Sequence, residues 1–298
     1  MSSKTIGFIG LGHMGGPMAA NLVKAGFAVR GFDLVEASKQ AAKENGVQIA
    51  ENVAQVVQGA GAIITMLPAG SHVLNVWREL LVLVSPNTLL IDCSTIDVDS
   101  ARKAHQLAAE HRLPSIDAPV SGGVVGATAA TLTFMAGGEK SAFDRAEIIL
   151  STMGKRIVHC GDAGAGQAAK ICNNMILGIS MIGVCEAFVL GEKLGLSQQA
   201  LFDVASVSSG QCWALTTNCP VAGPVPTSPA NRNYQPGFAA SLMLKDLKLA
   251  QEAAASVGAT TPLGAEAAQL YNLFNALGSG GEDFSGIIRL LRGKEDAS

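Results

Sequence analysis

Through the first half of the chain, short β-branched apolar runs alternate with longer segments of helical period. Strand-like runs fall near 5–10, 28–33, 62–67, 88–92, 115–118, 131–136 and 156–159, and helical segments begin near Gly15, Val35, Asn52, Ser71, Asp97 and Ser141. Apolar strands interleaved with amphipathic helices predict βαβ units and a doubly wound parallel sheet covered on both faces. Beyond Gly161-Asp162-Ala163-Gly164-Ala165-Gly166 the pattern changes, and Ala, Leu, Met and Gly fill long helical stretches with no further strand-like run. The change predicts an α/β domain over 1–163 and an all-helical domain over 164–298.

The first helix of the second half, 167–193, is apolar nearly all round, which predicts an element that joins the halves and is packed on every side. Its most membrane-like part, 175–190, carries Glu186 and is shorter than the roughly 20 residues a spanning helix needs, so no membrane partner is expected. From 218 to 236 five prolines interrupt a polar stretch, which reads as a binding loop and not as core. Helices resume near Phe238, and the charged tail 293–298 reads as frayed.

Composition narrows the class. With 48% hydrophobic residues the chain fills one large core or two moderate ones, which excludes disorder. A net charge of −3 gives no attraction for polyanions, and 5% aromatic residues make no stacking platform, so no nucleic-acid partner is expected. The six cysteines form no CxxC and have no histidine at ligand spacing, and the five histidines show no metal spacing, so no metal is assigned. Free buried thiols, with an N-terminal apolar run broken by Gly7, Gly10 and Gly12 and no signal-peptide pattern, suit a reducing cytoplasm.

Gly10-Leu11-Gly12-His13-Met14-Gly15 follows the first strand and opens the first helix, and Asp33 ends the next strand. The first glycine permits the turn, the second lets backbone approach a pyrophosphate, and the third lets helix and strand pack closely. A carboxylate at Asp33 accepts from ribose hydroxyls and repels a 2′-phosphate, which favours NAD over NADP. Met66-Leu67-Pro68 and Thr95 follow later strands, where ligands of such sheets collect. They fit equally well as a turn and a helix cap.

Gly7-Phe8-Ile9-Gly10-Leu11-Gly12-His13-Met14-Gly15-Gly16-Pro17-Met18-Ala19 resembles the signature of the β-hydroxyacid dehydrogenases. Asp117-Ala118-Pro119-Val120-Ser121-Gly122-Gly123 is similar to that family's substrate segment, 164–174 to its catalytic helix, and Lys245-Asp246 to its C-terminal cofactor contact. The resemblance implies an N-terminal Rossmann domain, a helical second domain, NAD as cofactor and a small hydroxy acid as substrate, while the apolar helical second half, which one copy would not cover, suggests a homodimer or homotetramer. It also implies Lys170 as acid/base, Asn174 as a substrate ligand and Lys245 as a contact to the nicotinamide end of NAD. Within the family, 208–213, which includes Trp213, and the proline-rich loop are similar to members that oxidise (S)-3-hydroxyisobutyrate in valine catabolism.

The residues carry part of this chemistry by themselves. Oxidising an alcohol needs a hydride acceptor, a base for the hydroxyl proton and a donor to the oxygen. Lys170 and Asn174 stand four apart on one helix face, and desolvation beside a cationic nicotinamide favours the amine form of a lysine. A surface lysine laid along the helix fits the same spacing. Ser121, Gly122 and Gly123 offer a hydroxyl and bare backbone N–H groups to a carboxylate, and also fit a helix cap. A larger relative, 6-phosphogluconate dehydrogenase, places a His and a Glu where this chain has Asn173 and Leu177, so oxidation without decarboxylation is expected. An L-serine dehydrogenase, a tartronate semialdehyde reductase and a non-catalytic NAD sensor remain alternatives.

Overall fold

The segments Ala62–Thr65 and Leu89–Asp92 are buried at every position, as strands covered on both faces must be. In the computed structural model, which describes residues 4–293, they are the middle of a nine-stranded sheet. Its strands are β1 (Thr5–Ile9), β2 (Ala28–Phe32), β3 (Gln48–Ile49), β4 (Ala62–Thr65), β5 (Leu89–Asp92), β6 (Ser115–Asp117), β7 (Val120–Ser121), β8 (Leu132–Gly137) and β9 (Gly154–Gly161). The helices between them are α1 (Gly15–Lys24), α2 (Glu36–Glu44), α3 (Val53–Val57), α4 (Gly70–Leu81), α5 (Val98–Glu110), α6 (Gly123–Thr128) and α7 (Lys140–Leu150).

The order β3-β2-β1-β4-β5-β6 is parallel throughout, and its direction of winding reverses between β1 and β4. The register pairs Ile9 with Phe32 and Thr65, Thr65 with Asp92, and Asp92 with Asp117. The carboxyl ends of five strands therefore lie level, and the turns that follow them share one edge. Along each strand side chains alternate between two cores. Ile6, Phe8, Ile64 and Ile91 pack with α1 and α7, while Ile9, Ile63 and Leu90 pack with α3, α4 and α5.

Past β6 the expected all-parallel sheet gives way. β8 runs antiparallel to β6 and β7, and only β9 is again parallel to its neighbour. The link between β6 and β8 is spent on the two-residue β7 and the short α6, which is less than a full crossover helix and so returns the chain in the opposite sense. These small elements, with β3, carry too few residues to show a period.

The chain forms two compact units that divide between Lys170 and Ile171, inside helix α8 (Ala165–Lys193). The second unit continues with α9 (Gln198–Ala205), α10 (Trp213–Thr216), α11 (Ala240–Val257), α12 (Pro262–Phe274) and α13 (Ile288–Arg292). Met181, Cys185 and Phe188 of α8 meet Met243, Leu247, Tyr271 and Phe284 in its core. Within a single chain Cys172, Ile176, Glu186 and Leu190 of α8 are exposed, so this chain alone does not cover the helix on every side. One expectation is corrected here: α8 is long and apolar enough to cross a membrane by length and composition, yet it lays the Met181, Cys185 and Phe188 stripe into this core and carries Gln167, Lys170 and Asn174 buried.

The proline-rich stretch 218–236 is likewise more than a surface loop. Cys219, Val221, Val225 and Tyr234 belong to the core, while Ser228 Oγ donates to the Cys219 carbonyl and Tyr234 Oη to that of Pro220. Buried Asp283 ties the two ends of the stretch together by accepting from Asn218 Nδ2 at its start and from the backbone N–H groups of Gly237 and Phe238 just past its end. The expected frayed tail lies beyond Gly293, outside the described residues, and Cys172 is an exposed exception to the expected buried thiols.

Candidate active site

The glycine turn follows β1 beside the point where the winding reverses. Gly10 has φ +96°, and a Cβ there would lie 2.2 Å from the Met66 carbonyl oxygen. A Cβ on Gly15 would lie 1.9 Å from the Gly10 carbonyl oxygen, so the third glycine is what lets α1 start against the turn. A Cβ on Gly12 would meet nothing within 4 Å, which leaves the turn's outer side open above the start of α1. No side chain caps that helix, and its first turn carries no acid, so its N–H groups and positive end suit a pyrophosphate.

Asp33 follows β2 on the same edge. Its Oδ2 accepts from Leu11 N–H at 2.6 Å and its Oδ1 from Val35 N–H at 2.8 Å. Each carboxylate oxygen can accept a further bond, so the acid can bind a ribose hydroxyl while it anchors the turn. Leu11 therefore holds Asp33 through its backbone, and its side chain is 2% exposed in the core. His13 is exposed and Met14 half-buried at the start of α1. These residues fit NAD: a glycine turn that admits no Cβ at Gly10 or Gly15, an uncapped helix start and an acid at the end of the next strand on the same edge.

Met66, Leu67 and Pro68 follow β4, and Thr95 lies in the turn after β5. Leu67 N–H donates to Ser94 Oγ at 2.8 Å, and Ser94 Oγ donates to Asp92 Oδ1 at 2.6 Å, which ties the two turns together. The cap of α5 is neither Ser94 nor Thr95 but Asp97, which accepts from Ser100 N–H at 2.6 Å.

Ser121, Gly122 and Gly123 form the turn between β7 and α6. The two glycines have φ +135° and +60°, a succession that side-chain-bearing residues avoid, and Gly122 stands in the N-cap position without a capping side chain. From α1, buried Asn21 donates to the Ala127 carbonyl at 2.7 Å and so links α6 to the helix of the glycine turn.

Lys170 is 6% exposed on α8. The start of that helix is bonded to the carboxyl edge of the sheet. Asp117, ending β6, accepts from Gly164 N–H and Gln167 N–H, while Gln167 accepts from Ile96 N–H at 3.2 Å and donates to the Ser94 carbonyl at 2.7 Å. Sequence reasoning missed Gln167 and the role of Asp117, because their partners lie 47 to 73 residues away.

In the second unit Asn174 is 2% exposed, and its amide donates to Asp246 Oδ2 and accepts from Asn173 Nδ2. Asp246 thus sets the orientation of Asn174. Lys245 precedes it on α11 and is half-buried, and Trp213, which opens α10, is 52% exposed.

A doubly wound sheet with this turn and acid defines a dinucleotide-binding protein. Residues 5–161 match the family model for the NAD-binding domain of 6-phosphogluconate dehydrogenase, and residues 164–291 that for the NAD-binding region of NADP-dependent 3-hydroxyisobutyrate dehydrogenase. The chain is 53% identical over 293 residues to a probable 3-hydroxyisobutyrate dehydrogenase of Mycobacterium tuberculosis, covering 98% of this chain and 99% of that one. It is 46% identical over 290 residues to an NAD-dependent L-serine dehydrogenase of Pseudomonas aeruginosa, covering 96% and 97%. The solved structure of Mycobacterium tuberculosis 3-hydroxyisobutyrate dehydrogenase with L-serine superposes with a TM-score of 0.95 at 52% identity, over 98% of this chain and 100% of that one. The chain belongs to the β-hydroxyacid dehydrogenase family and is an NAD-dependent oxidoreductase.

Proposed function

We propose that this chain oxidises (S)-3-hydroxyisobutyrate to methylmalonate semialdehyde, a step of valine catabolism, with Lys170 as the acid/base. The observation that carries the reading is the seating of Lys170. It is buried, three residues beyond Gln167, on a helix whose start is bonded to the turns at the carboxyl ends of β5 and β6. NAD, when bound, accepts a hydride on its nicotinamide ring. Lys170 Nζ in its amine form takes the hydroxyl proton and returns it to the carbonyl oxygen in the reverse direction. Ser121 Oγ and the N–H groups of Gly122 and Gly123 receive the substrate carboxylate. We assign Asn174, oriented by Asp246, to the substrate, Lys245 to the cofactor and Trp213 to the shape of the pocket around the substrate's methyl group.

The 3-hydroxyisobutyrate dehydrogenase relative supports this substrate. L-serine is the second reading, favoured by the Mycobacterium tuberculosis structure with L-serine and by the Pseudomonas aeruginosa relative. The two acids differ by a methyl group against an ammonium group, so whether the site offers apolar surface or an acceptor at that position decides between them. Comparing kcat/KM for 3-hydroxyisobutyrate, L-serine and glycerate with NAD decides between them. A lead for 3-hydroxyisobutyrate supports the first reading, and a lead for L-serine replaces it. We take the chain to be cytoplasmic and a homodimer or homotetramer, with Ile176 and Leu190, exposed on α8, covered by a second copy.

A further inference from the structure

The carboxylate of Asp117 is 2% exposed, and no step of the proposed reaction uses it. Its Oδ1 accepts from Gly164 N–H at 2.8 Å and lies 2.9 Å from His105 Nε2, and its Oδ2 accepts from Gln167 N–H at 2.9 Å. His105 Nδ1 in turn lies 2.8 Å from Ser115 Oγ. A serine, a histidine and an aspartate in series suggest a hydrolytic triad, but the geometry excludes one. The serine meets Nδ1 and the acid Nε2, the reverse of the catalytic arrangement, and both Ser115 and His105 are 9% exposed. The series ends instead on the first amides of α8.

A carboxylate in that place satisfies N–H groups that the helix cannot, and opposes the positive end of its dipole. The fit is close on two sides. A Cβ on Gly137 would lie 2.5 Å from Asp117 Oδ1, and one on Gly166 2.8 Å from Oδ2. Asp117 also stands four residues before Ser121, while Gln167 stands three before Lys170. One side chain therefore joins the segment assigned to the substrate carboxylate to the helix that carries the assigned base, with both inside the first unit.

We propose that Asp117 is a positioning residue for the reaction. It keeps Lys170 in register with Ser121, Gly122 and Gly123, and His105 steadies its carboxylate. The proposal rests on the reading of Lys170 as acid/base. Asp117→Asn keeps one acceptor oxygen and turns an N–H toward the N–H of Gly164 or Gln167, so the start of α8 must move. A displacement of about 1 Å in a reacting group costs on the order of 100-fold in rate.

The experiment measures kcat, KM and NADH binding by fluorescence for the wild type, Asp117→Asn, His105→Leu, His105→Gln and Lys170→Ala. The substrate is whichever of 3-hydroxyisobutyrate and L-serine the wild type turns over better. Asp117→Asn is expected to lower kcat by about 10- to 100-fold, with NADH affinity within about threefold, because β4 and β5 separate β6 from the glycine turn. His105→Leu lowers kcat less, and His105→Gln, which restores a donor to Asp117, recovers most of that loss. This pair decides the matter if Asp117→Asn does not fold. A folded Asp117→Asn with wild-type kcat overturns the proposal, as do kcat and NADH affinity falling together, or Leu and Gln at 105 acting alike. Wild-type kcat in Lys170→Ala overturns the acid/base reading itself, and the positioning role with it.

Discussion

Asp92 makes stability depend on pH in a direction opposite to that of most carboxylates. It ends β5, and its Oδ1 accepts from Thr65 Oγ1 at 2.7 Å and Ser94 Oγ at 2.6 Å. Its Oδ2 is buried and has no hydrogen-bond partner among the described residues. Burial raises the carboxyl from its ordinary 3.8 to about 6, and the charge of Asp117 pushes the same way. The folded state thus holds a proton that the unfolded state has already released, and stability from this group falls as pH rises from about 4 to about 6. Above that window the ionised form costs about 3 kcal/mol, from about 1.4 kcal/mol for each tenfold change in proton affinity. Asp92→Asn keeps the acceptor for Thr65 and Ser94 but cannot ionise. The stability of the variant relative to wild type should therefore rise by about 3 kcal/mol between pH 4 and pH 7.5, a shift of about 6 to 12 °C in Tm difference. Other carboxylates titrate in both proteins and cancel. With Trp213 replaced by Phe, Trp77 is the only tryptophan left, and it reports on this region because its Nε1 donates to Thr65 Oγ1 at 3.3 Å. A Tm difference between variant and wild type that stays constant across that range refutes the reasoning.

Asp33→Ser removes the acceptor for Leu11 N–H as well as the charge that repels a 2′-phosphate. It should weaken NAD by about 10- to 100-fold and narrow the preference over NADP, as kcat/KM with each cofactor would reveal. Gly15→Ala drives a Cβ into the Gly10 carbonyl oxygen and should abolish measurable NADH binding, with about 1–3 kcal/mol of stability lost in the same unfolding assay. Light scattering on the eluting protein should give the mass of a dimer or a tetramer, and a monomer at micromolar concentration would contradict the assembly.

The Rossmann half was readable because its chemistry and its pattern are local. Buried parallel strands such as Ile63-Ile64 and Leu90-Ile91 are apolar without alternation, and Gly10, Gly12, Gly15 and Asp33 fall within two adjacent strand ends. The antiparallel return of β8 was not readable, since sense depends on where β7 and α6 spend the link and not on the character of β8. The uniform apolarity of α8 hid which residues face the core, because side chains of equal hydropathy carry no period. In the stretch 218–236, prolines and polar residues read as loop although Ser228 and Tyr234 satisfy its backbone from within and Asp283 ties its ends. The clearest loss is the ring of bonds around Asp117. Each partner is an ordinary residue in sequence, and only the level strand ends bring His105, Gly164 and Gln167 to one carboxylate.

The central claim is that Lys170 moves the proton in an NAD-dependent oxidation of a short hydroxy acid. Its most direct test is the rate of reduced-nicotinamide absorbance change with 3-hydroxyisobutyrate or L-serine for wild type and Lys170→Ala, with NADH binding measured on the same samples. The account predicts a kcat loss of at least about 100-fold with NADH affinity nearly unchanged. A variant that binds NADH and turns over at the wild-type rate, or a wild type that binds NADH and oxidises none of these acids, would contradict it.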